Sequence, residues 1–255
     1  MFADKRTVLV DVDGTVARVT LNRPDKRNAL NDELIADLKA ALREADRDES
    51  IRCIVVSGAG ADFCSGADLS ALQKISQASV GENLEDARLL MEVFVLIREL
   101  HVPVIAAVRG RALAGGCGLA LACDLVVAER SARFGFPEVK IGFVPAMVMA
   151  ILRRSTSEKL AFELLTSAEE VSADQAERMG LVNQVFESDA FDAEVKKFAA
   201  RFERLSRSAL ALTKRLFYRA DAMAFEDALL AGVDVNATAR MTEDCQKGIA
   251  KFLKK

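Results

Sequence analysis

Two short stretches rich in small residues constrain this chain more than any other feature of its sequence. Residues 63–69 read Phe-Cys-Ser-Gly-Ala-Asp-Leu, and residues 110–118 read Gly-Arg-Ala-Leu-Ala-Gly-Gly-Cys-Gly. Each follows an apolar run, 53–57 or 102–108, that predicts a buried strand, and each leads into a helical pattern. Small residues in such turns let the backbone approach a ligand or another segment closely, because no large side chain intervenes.

A turn that leads from a strand into a helix also presents N–H groups, since the first N–H groups of a helix have no intrahelical partner. Two such groups aimed at one place form an oxyanion hole, which stabilises the negative oxygen that appears when a thioester becomes an enolate. The alternative is that both turns merely end their strands tightly. One glycine-rich turn is common in proteins, whereas the pair is more specific.

These stretches, with the neighbouring segments Leu21-Asn22-Arg23-Pro24 and Ala122-Cys123-Asp124, resemble the enoyl-CoA hydratase/isomerase (crotonase) superfamily. The resemblance runs from about Val8 to the C-terminus. It implies an α/β fold, a crotonase-type spiral of ββα turns with a C-terminal helical region. It also places the two N–H donors of the oxyanion hole at Ala67 and Gly115.

The same resemblance implies how the chain is organised and assembled. We expect a crotonase-type core with the coenzyme A site in residues 1–200 and a C-terminal helical trimerisation region in residues 201–255. The expected partner is an acyl-CoA thioester, with coenzyme A present as part of the substrate and no other cofactor. The expected assembly is a homotrimer or a dimer of trimers.

One carboxylate stands out as a candidate acid/base group. In Phe134-Gly135-Phe136-Pro137-Glu138-Val139, Glu138 follows a proline and has apolar neighbours. Apolar surroundings favour the neutral carboxyl and so produce a more effective acid/base group near neutral pH. The resemblance matches Glu138 to one of the two catalytic glutamates of the hydratases. The alternative is an exposed, solvated glutamate.

Position 118 departs from the hydratase pattern, in which the second loop continues Gly-Gly-Gly-Cys-Glu and supplies the other catalytic glutamate. Here the residue is Gly118. Three interpretations remain open. Glu138, alone or with a residue from elsewhere, activates water to hydrate a 2-enoyl-CoA; or it moves a proton between the α- and γ-carbons in a Δ3–Δ2 isomerisation; or the protein binds acyl-CoA without efficient chemistry. Gly118 itself either leaves space for a substrate group or packs against a neighbouring element.

Other positions are implied to hold the substrate. The segment 144–149, Val-Pro-Ala-Met-Val-Met, replaces the family's Pro-Gly-x-Gly-Gly, and its two methionines either line an acyl pocket or belong to the core. The resemblance implies contacts to coenzyme A, those of the last two residues being to an adjacent subunit, at Lys26, Arg27, Ala29, Leu30, Asp68, Leu69, Phe252 and Lys255.

Composition excludes several other classes. The net charge is −3 and the basic residues are dispersed, so we expect neither nucleic acid nor an anionic membrane as a partner. No apolar run has the roughly 18 to 20 residues needed to span a bilayer, and no signal peptide is evident, so we expect a cytoplasmic protein. Five cysteines without a C-x-x-C pair indicate reduced thiols, and with one histidine we expect no metal site.

A different enzyme class competes at the N-terminus. Residues 8–15, Val-Leu-Val-Asp-Val-Asp-Gly-Thr, look like the first motif of haloacid-dehalogenase-type phosphatases, in which Asp11 would be the nucleophile and Asp13 an acid/base beside Mg²⁺. The competing interpretation is a hairpin that turns at Gly14, because a second alternating strand, 16–21, follows at once. We favour the hairpin.

The remaining pattern predicts the principal elements. Asn31-Asp32 is expected to cap a helix that runs to about residue 45. We expect buried strands at 51–57, 102–108 and 125–128, a long helix at 84–100, and mainly helix after residue 155 except for a strand-like segment at 181–186. His101 and Tyr218 are expected to be structural.

Overall fold

The computed structural model describes residues 7–68, 73–74 and 76–254, so Leu69 and Lys255, both implied to contact coenzyme A, lie outside the described residues. The strands are β1 (Val8–Asp13), β2 (Val16–Leu21), β3 (Cys53–Gly58), β4 (Val104–Val108), β5 (Arg111–Leu113), β6 (Leu125–Glu129), β7 (Arg133–Gly135), β8 (Val171–Ser172) and β9 (Gln184–Phe186). The α-helices given for the described residues are α1 (Asp32–Arg47), α2 (Val80–Glu99), α3 (Gly115–Ala122), α4 (Ala146–Ser155), α5 (Glu158–Ser167), α6 (Ala173–Arg178), α7 (Phe191–Ala199), α8 (Arg207–Ala220), α9 (Phe225–Arg240) and α10 (Glu243–Leu253).

The large sheet begins with the predicted hairpin. Its strand order is β1-β2-β3-β4-β6-β9, in which only the β1–β2 pair is antiparallel. Gly14 makes the turn with φ +63°, a left-handed conformation that glycine adopts without steric cost. Asp13 forms an ion pair with Lys196 at 2.8 Å. The phosphatase interpretation is therefore wrong, because β1 is an antiparallel edge strand rather than a central parallel one.

A second, smaller layer of extended segments lies beside this sheet. Strands β5, β7 and β8 form a three-stranded sheet, and isolated parallel bridges join Cys64 to Ala112 and Leu30 to Ala67. Successive turns of the chain thus each contribute a strand to the large sheet, an extended segment to the small layer and then a helix. This arrangement is the ββα spiral that was predicted.

The strands of the large sheet are buried on both faces. Ile54 and Val56 of β3 face the main core, whereas Cys53 and Val55 face a second apolar cluster that includes Phe198 of α7. Burial on both faces explains why β3, β4 and β6 are nearly continuous apolar runs rather than alternating ones.

All five cysteines are free thiols. Burial raises the pKa of the Cys64 thiol to about 12, so this thiol stays protonated and acts as a small apolar group.

Several boundaries differ from the predicted ones for local reasons. Helix α2 begins at Val80 rather than at 84, because Ser79 and Glu82 form a reciprocal capping box that satisfies the first N–H groups. Helix α1 starts as predicted, with the Asn31 side chain accepting from the N–H of Leu34 at 3.0 Å. The two-residue strand β8 is too short to give a sequence signal.

Helix α8 is joined to the core by a partly buried polar cluster centred on Asp124. One carboxylate oxygen of Asp124 accepts from the N–H of Val104 at 2.7 Å and from Nζ of Lys214 at 2.6 Å, and the other accepts from the Tyr218 hydroxyl at 2.8 Å. Lys214 Nζ also donates to the carbonyl of Val102 at 3.0 Å. Every charge in the cluster therefore has a partner, and Tyr218 has the structural role expected. His101, also expected to be structural, pairs with Asp46.

Helices α9 and α10 contain no buried residue. Their exposed apolar side chains are Phe225, Leu229, Leu230, Val233, Ile249, Phe252 and Leu253. Among the described residues, none of the helices has the length and apolar character that crossing a membrane requires.

The Asp124 cluster predicts a large effect of one substitution in α8. Lys214→Met should lower the free energy of unfolding by about 3–5 kcal/mol, because it leaves the largely buried Asp124 carboxylate, whose side chain is 14% exposed, without its cation. Arg215→Met, at the exposed neighbouring position, should change it by less than about 0.5 kcal/mol. Urea unfolding at a fixed protein concentration measures both. Equal effects of the two substitutions would contradict the role given to Lys214.

Candidate active site

The first small-residue stretch is held on two sides by backbone hydrogen bonds. Cys64 donates to the carbonyl of Arg111 at 3.0 Å, whereas the carbonyl of Gly66 accepts from the N–H of Leu30 at 2.7 Å, and Asp68 N–H donates to the carbonyl of Leu30 at 3.0 Å. Because Leu30 bonds to the residues on either side of Ala67, the N–H of Ala67 itself points away from Leu30. The loop therefore directs this N–H out of the bridge.

The second stretch begins helix α3 at Gly115. The preceding residue, Ala114, has φ +50° and ψ −128°, a conformation that residues with a Cβ rarely adopt, and its N–H donates to the carbonyl of Gly135 at 2.9 Å. Strain of this kind costs of order 1–3 kcal/mol and is concentrated at functional sites. The first N–H groups of α3, that of Gly115 among them, have no intrahelical partner and carry the positive end of the helix dipole.

The two stretches touch each other through positions where no side chain fits. A Cβ on Gly66, which has φ +93°, would lie 2.8 Å from Cβ of Ala114 and 3.7 Å from the backbone nitrogen of Gly115. A Cβ on Gly116 would lie 2.4 Å from the carbonyl oxygen of Cys64. The backbone that carries Ala67 therefore packs directly against the start of α3, and the geometry brings together the two predicted N–H donors.

Strand pairing places Glu138 at the same edge of the small sheet as the start of α3. Strands β5 and β7 are parallel, with Leu113 opposite Gly135. Gly115 is the second residue after Leu113, and Glu138 is the third residue after Gly135, in a 3-10 turn over Pro137–Ile141. Since the carboxyl ends of parallel strands lie at one edge, both groups emerge on the same side.

The Glu138 carboxylate is partly buried and lacks a full set of partners. Its Oε2 atom is inaccessible to solvent and has no hydrogen-bond partner among the described residues. Burial raises the pKa of Glu138 above the ordinary glutamate value. Burial is the main cause of the raised pKa of Cys117 on α3, and the nearby Glu138 charge adds to it. A carboxylate with these properties is suited to accepting and returning a proton.

Gly118 lies one turn after Gly115 and does not leave open space. A Cβ at this position would lie 2.2 Å from Cγ1 of Val148 and 3.1 Å from Cζ of Phe94. The structure favours the packing alternative for Gly118, and a substrate contact at this position stays a prediction. Neither Val148 nor Phe94 was singled out in the sequence, although the missing glycines of segment 144–149 were a signal.

The segment that was expected to border the nucleotide forms a rigid corner beside the first stretch. Arg27 and Asn28 are both left-handed, with φ +50° and +53°. Asn28 is fully buried, and its side chain bonds to the carbonyls of Ala59 and Asp62 at 2.9 and 2.8 Å. The carbonyl of Arg27 accepts from the N–H of Ser65 at 3.0 Å. Asn28, which was not predicted, thus holds the corner against the loop.

The predicted coenzyme A contacts differ in their exposure. Lys26 and Arg27 are exposed, although Arg27 Nε lies 4.0 Å from a carboxylate oxygen of Asp62, whereas Ala29 and Leu30 are buried. Asp68 is 6% exposed, and its carboxylate pairs with Arg23 at 2.7 Å, which stabilises the loop; its implied contact to coenzyme A stays a prediction.

Two further expectations concern apolar residues. Phe252 is 79% exposed on α10, and its implied contact to an adjacent subunit stays a prediction. Of the two methionines in segment 144–149, Met147 packs against the main core, whereas Met149 is 46% exposed.

The burial of Glu138 predicts a stability effect that does not depend on any activity. The folded chain holds Glu138 at a raised pKa and the unfolded chain at about 4.3, so folding is opposed by this group once the pH is above both values. Glu138→Gln should therefore raise the thermal midpoint at about pH 8, and the gain should narrow as the pH falls towards about 4.3. Glu163→Gln, at an exposed position, should have no such effect. A loss of stability by Glu138→Gln that is equal at all pH values would contradict the assignment.

Known proteins are similar to this chain over almost its whole length. The sequence model of the enoyl-CoA hydratase/isomerase family matches residues 11–255. A Thermus thermophilus protein provisionally described as an enoyl-CoA hydratase is 40% identical over 242 residues, which cover 95% of this chain and 96% of the relative. The 2,3-dehydroadipyl-CoA hydratase of Escherichia coli is 36% identical over 241 residues, covering 94% of this chain and 92% of the relative.

A solved structure extends the similarity from sequence to fold. The crystal structure of an enoyl-CoA hydratase from Mycobacterium smegmatis superposes with a TM-score of 0.92 at 35% identity, covering 97% of this chain and 96% of that chain. The superposition extends over nearly the whole chain and is not limited to the large sheet. The chain therefore belongs to the enoyl-CoA hydratase/isomerase family and has the crotonase-type fold.

Proposed function

We propose that this protein hydrates a 2-enoyl-CoA thioester, with Glu138 as the acid/base group and the N–H groups of Ala67 and Gly115 as the oxyanion hole. The observation that carries the proposal is the partly buried Glu138 carboxylate, which lies at the strand edge where α3 begins and has one oxygen without a partner. The hydratase names of relatives that are 36–40% identical over most of the chain support the same reaction.

The chemistry follows from these groups. Glu138 accepts a proton from water as the water oxygen bonds to the β-carbon, and the electrons of the double bond pass through the α-carbon to the thioester oxygen. The two N–H groups stabilise the resulting oxyanion, an effect worth about 2.7–4 kcal/mol for one such donor in other enzymes. Glu138 then returns its proton to the α-carbon. One carboxylate thus serves both steps, and the reaction needs no cofactor beyond the coenzyme A of its substrate.

Isomerisation is the second candidate, and a specific observation favours it. The place where hydratases carry a second glutamate is Gly118, and the space beside it is filled by the hydrocarbon side chains of Val148 and Phe94. A single base can move a proton between the α- and γ-carbons of a 3-enoyl-CoA without water. The two reactions share the enolate and differ in whether water adds.

The exposed cations offer a place for the nucleotide of coenzyme A. Lys26 and Arg27 extend from the corner that bonds to the first stretch at Ser65. They complement the phosphates of the nucleotide.

We also propose a cytoplasmic location for the protein.

Assembly into a homotrimer, or a dimer of trimers, is proposed for the C-terminal helices. Apolar side chains on α9 are more than half exposed, and a cavity of about 1000 Å³ opens between α8, α9 and the core. Exposed apolar surfaces of this extent mark protein–protein contacts. Helical region 201–255 is thus suited to contact between subunits.

The proposed reaction is tested by following the ultraviolet absorbance of the conjugated enoyl thioester. Wild type should remove conjugation from a 2-enoyl-CoA, and Glu138→Gln should lower kcat/KM by about 10²- to 10⁴-fold. Because the carboxylate form is required and its pKa is raised, wild-type kcat/KM should fall as the pH is lowered, with a midpoint above the ordinary glutamate pKa. Glu163→Gln should match wild type.

Two other outcomes of that experiment have definite meanings. Gain of conjugation from a 3-enoyl-CoA, with no loss from a 2-enoyl-CoA, would replace hydration by isomerisation. No turnover of either substrate, or full activity of Glu138→Gln, would overturn the assignment of Glu138 as the acid/base group.

The assembly proposal makes a separate prediction. Leu229→Glu places a charge on the exposed apolar face of α9 and should convert the oligomer to a smaller species, whereas Thr238→Glu, on the opposite face of the same helix, should not. Light scattering after size-exclusion chromatography measures the mass. A wild-type protein that is already monomeric would contradict the proposal.

A further inference from the structure

Two apolar side chains from other helices, Val148 and Phe94, pack against α3 at Gly118. A Cβ on Gly118 would lie 2.2 Å from Cγ1 and 3.3 Å from Cβ of Val148, and 3.1 Å from Cζ of Phe94. Separations below 3.0 Å do not occur between real Cβ atoms and their neighbours. A residue with a Cβ at position 118 would therefore force Val148 or the backbone of α3 to shift.

Matching contacts continue along the same two helices. A Cβ on Gly115 would lie 3.3 Å from Cδ2 of Leu90 and 3.3 Å from Cδ1 of Leu30. Leu90 and Phe94 are one turn apart on α2, and Gly115 and Gly118 are one turn apart on α3. Leu90 therefore lies beside Gly115, and Phe94 lies beside Gly118. The wall formed by Val148 and Phe94 is therefore continuous with the apolar side chains beside the Gly115 N–H.

Val148 cannot readily move out of this wall. It is 4% exposed in the first turn of α4, and Phe94 is 6% exposed in α2. A β-branched side chain in a helix has one strongly preferred rotamer, so Val148 has little freedom to swing away from residue 118. The size of the space beside Gly118 is thus set by the identity of residue 148.

We propose that Val148 is a specificity-determining residue, which limits the acyl group to one that is unbranched at the reacting carbons. The inference rests on the proposed enoyl-CoA reaction, since it concerns the acyl part of that substrate. Val148 occupies the volume that a substituent on residue 118, or a methyl branch of the substrate beside it, would need. Because the wall is hydrocarbon, it excludes by shape and not by charge.

The contact itself is tested first, by a double-mutant cycle that requires no substrate. Gly118→Ala should lower the thermal midpoint strongly in the wild-type background, and much less in Val148→Ala, because the smaller side chain leaves room for the new methyl group. Equal effects of Gly118→Ala in both backgrounds would show that the two positions are not in contact, and would overturn the inference.

Specificity is tested with Val148→Ala on linear 2-enoyl-CoA and on its 2-methyl and 3-methyl derivatives. The ratio of kcat/KM for a methyl-branched substrate to that for the linear one should rise by roughly 10- to 200-fold, the range for one methyl group in an apolar pocket. Ile151→Val, which shortens another buried side chain of α4, should leave the ratio unchanged.

The possible results distinguish the specificity role of Val148 from the proposed enoyl-CoA reaction. An unchanged ratio for both branched substrates, in a Val148→Ala protein that turns over the linear substrate, overturns the specificity role and leaves the proposed function intact. Absence of turnover by wild type on every 2-enoyl- and 3-enoyl-CoA overturns the proposed function and the specificity role with it, whereas the double-mutant cycle still reports on the contact.

Discussion

The direct backbone contact between the first small-residue stretch and the start of α3 is the constraint on which the site depends. Gly66 and Gly116 lie where any Cβ would collide with Ala114 or Cys64. The contact lets two N–H-bearing segments, distant in sequence, lie against each other without side chains between them. Glycine is selected here by space and by the positive φ of Gly66, and the strained Ala114 is held in place by the same packing.

The spiral explains why these segments meet at all. Each turn of chain contributes a strand to the large sheet and then an extended segment to the small layer. The segments at Leu30, Ala67, Ala112 and Phe134 are joined to one another by bridges or strand pairing. Equivalent points of successive turns are therefore neighbours in space, and the turn that carries Glu138 follows strand β7, which pairs with the strand before Gly115.

The ion pairs near the site stabilise the loops and helices around it rather than provide charged groups within it. Arg23 pairs with Asp68 beside the first stretch, and Lys214 with Asp124 beneath α8, so both buried carboxylates have a cation. Glu138 differs from them, because no cation is recorded beside its buried oxygen in the part of the chain that the structure describes. A carboxylate without a cation and with a raised pKa costs stability, and such groups are candidates for a functional role, which is here the proposed proton transfer.

Much of the fold could be predicted from the sequence because its signals are local. The hairpin at Gly14, the cap at Asn31 and the apolar strands follow from turn chemistry, capping and hydrophobic runs. The family resemblance led to the prediction of Ala67, Gly115 and Glu138 as site residues. Only the tertiary structure decided that Asp68 is used internally, that Asn28 supports the corner, and that Val148 fills the space beside Gly118. These depend on side chains from separate helices and loops meeting at distances of a few ångströms, which no local pattern encodes.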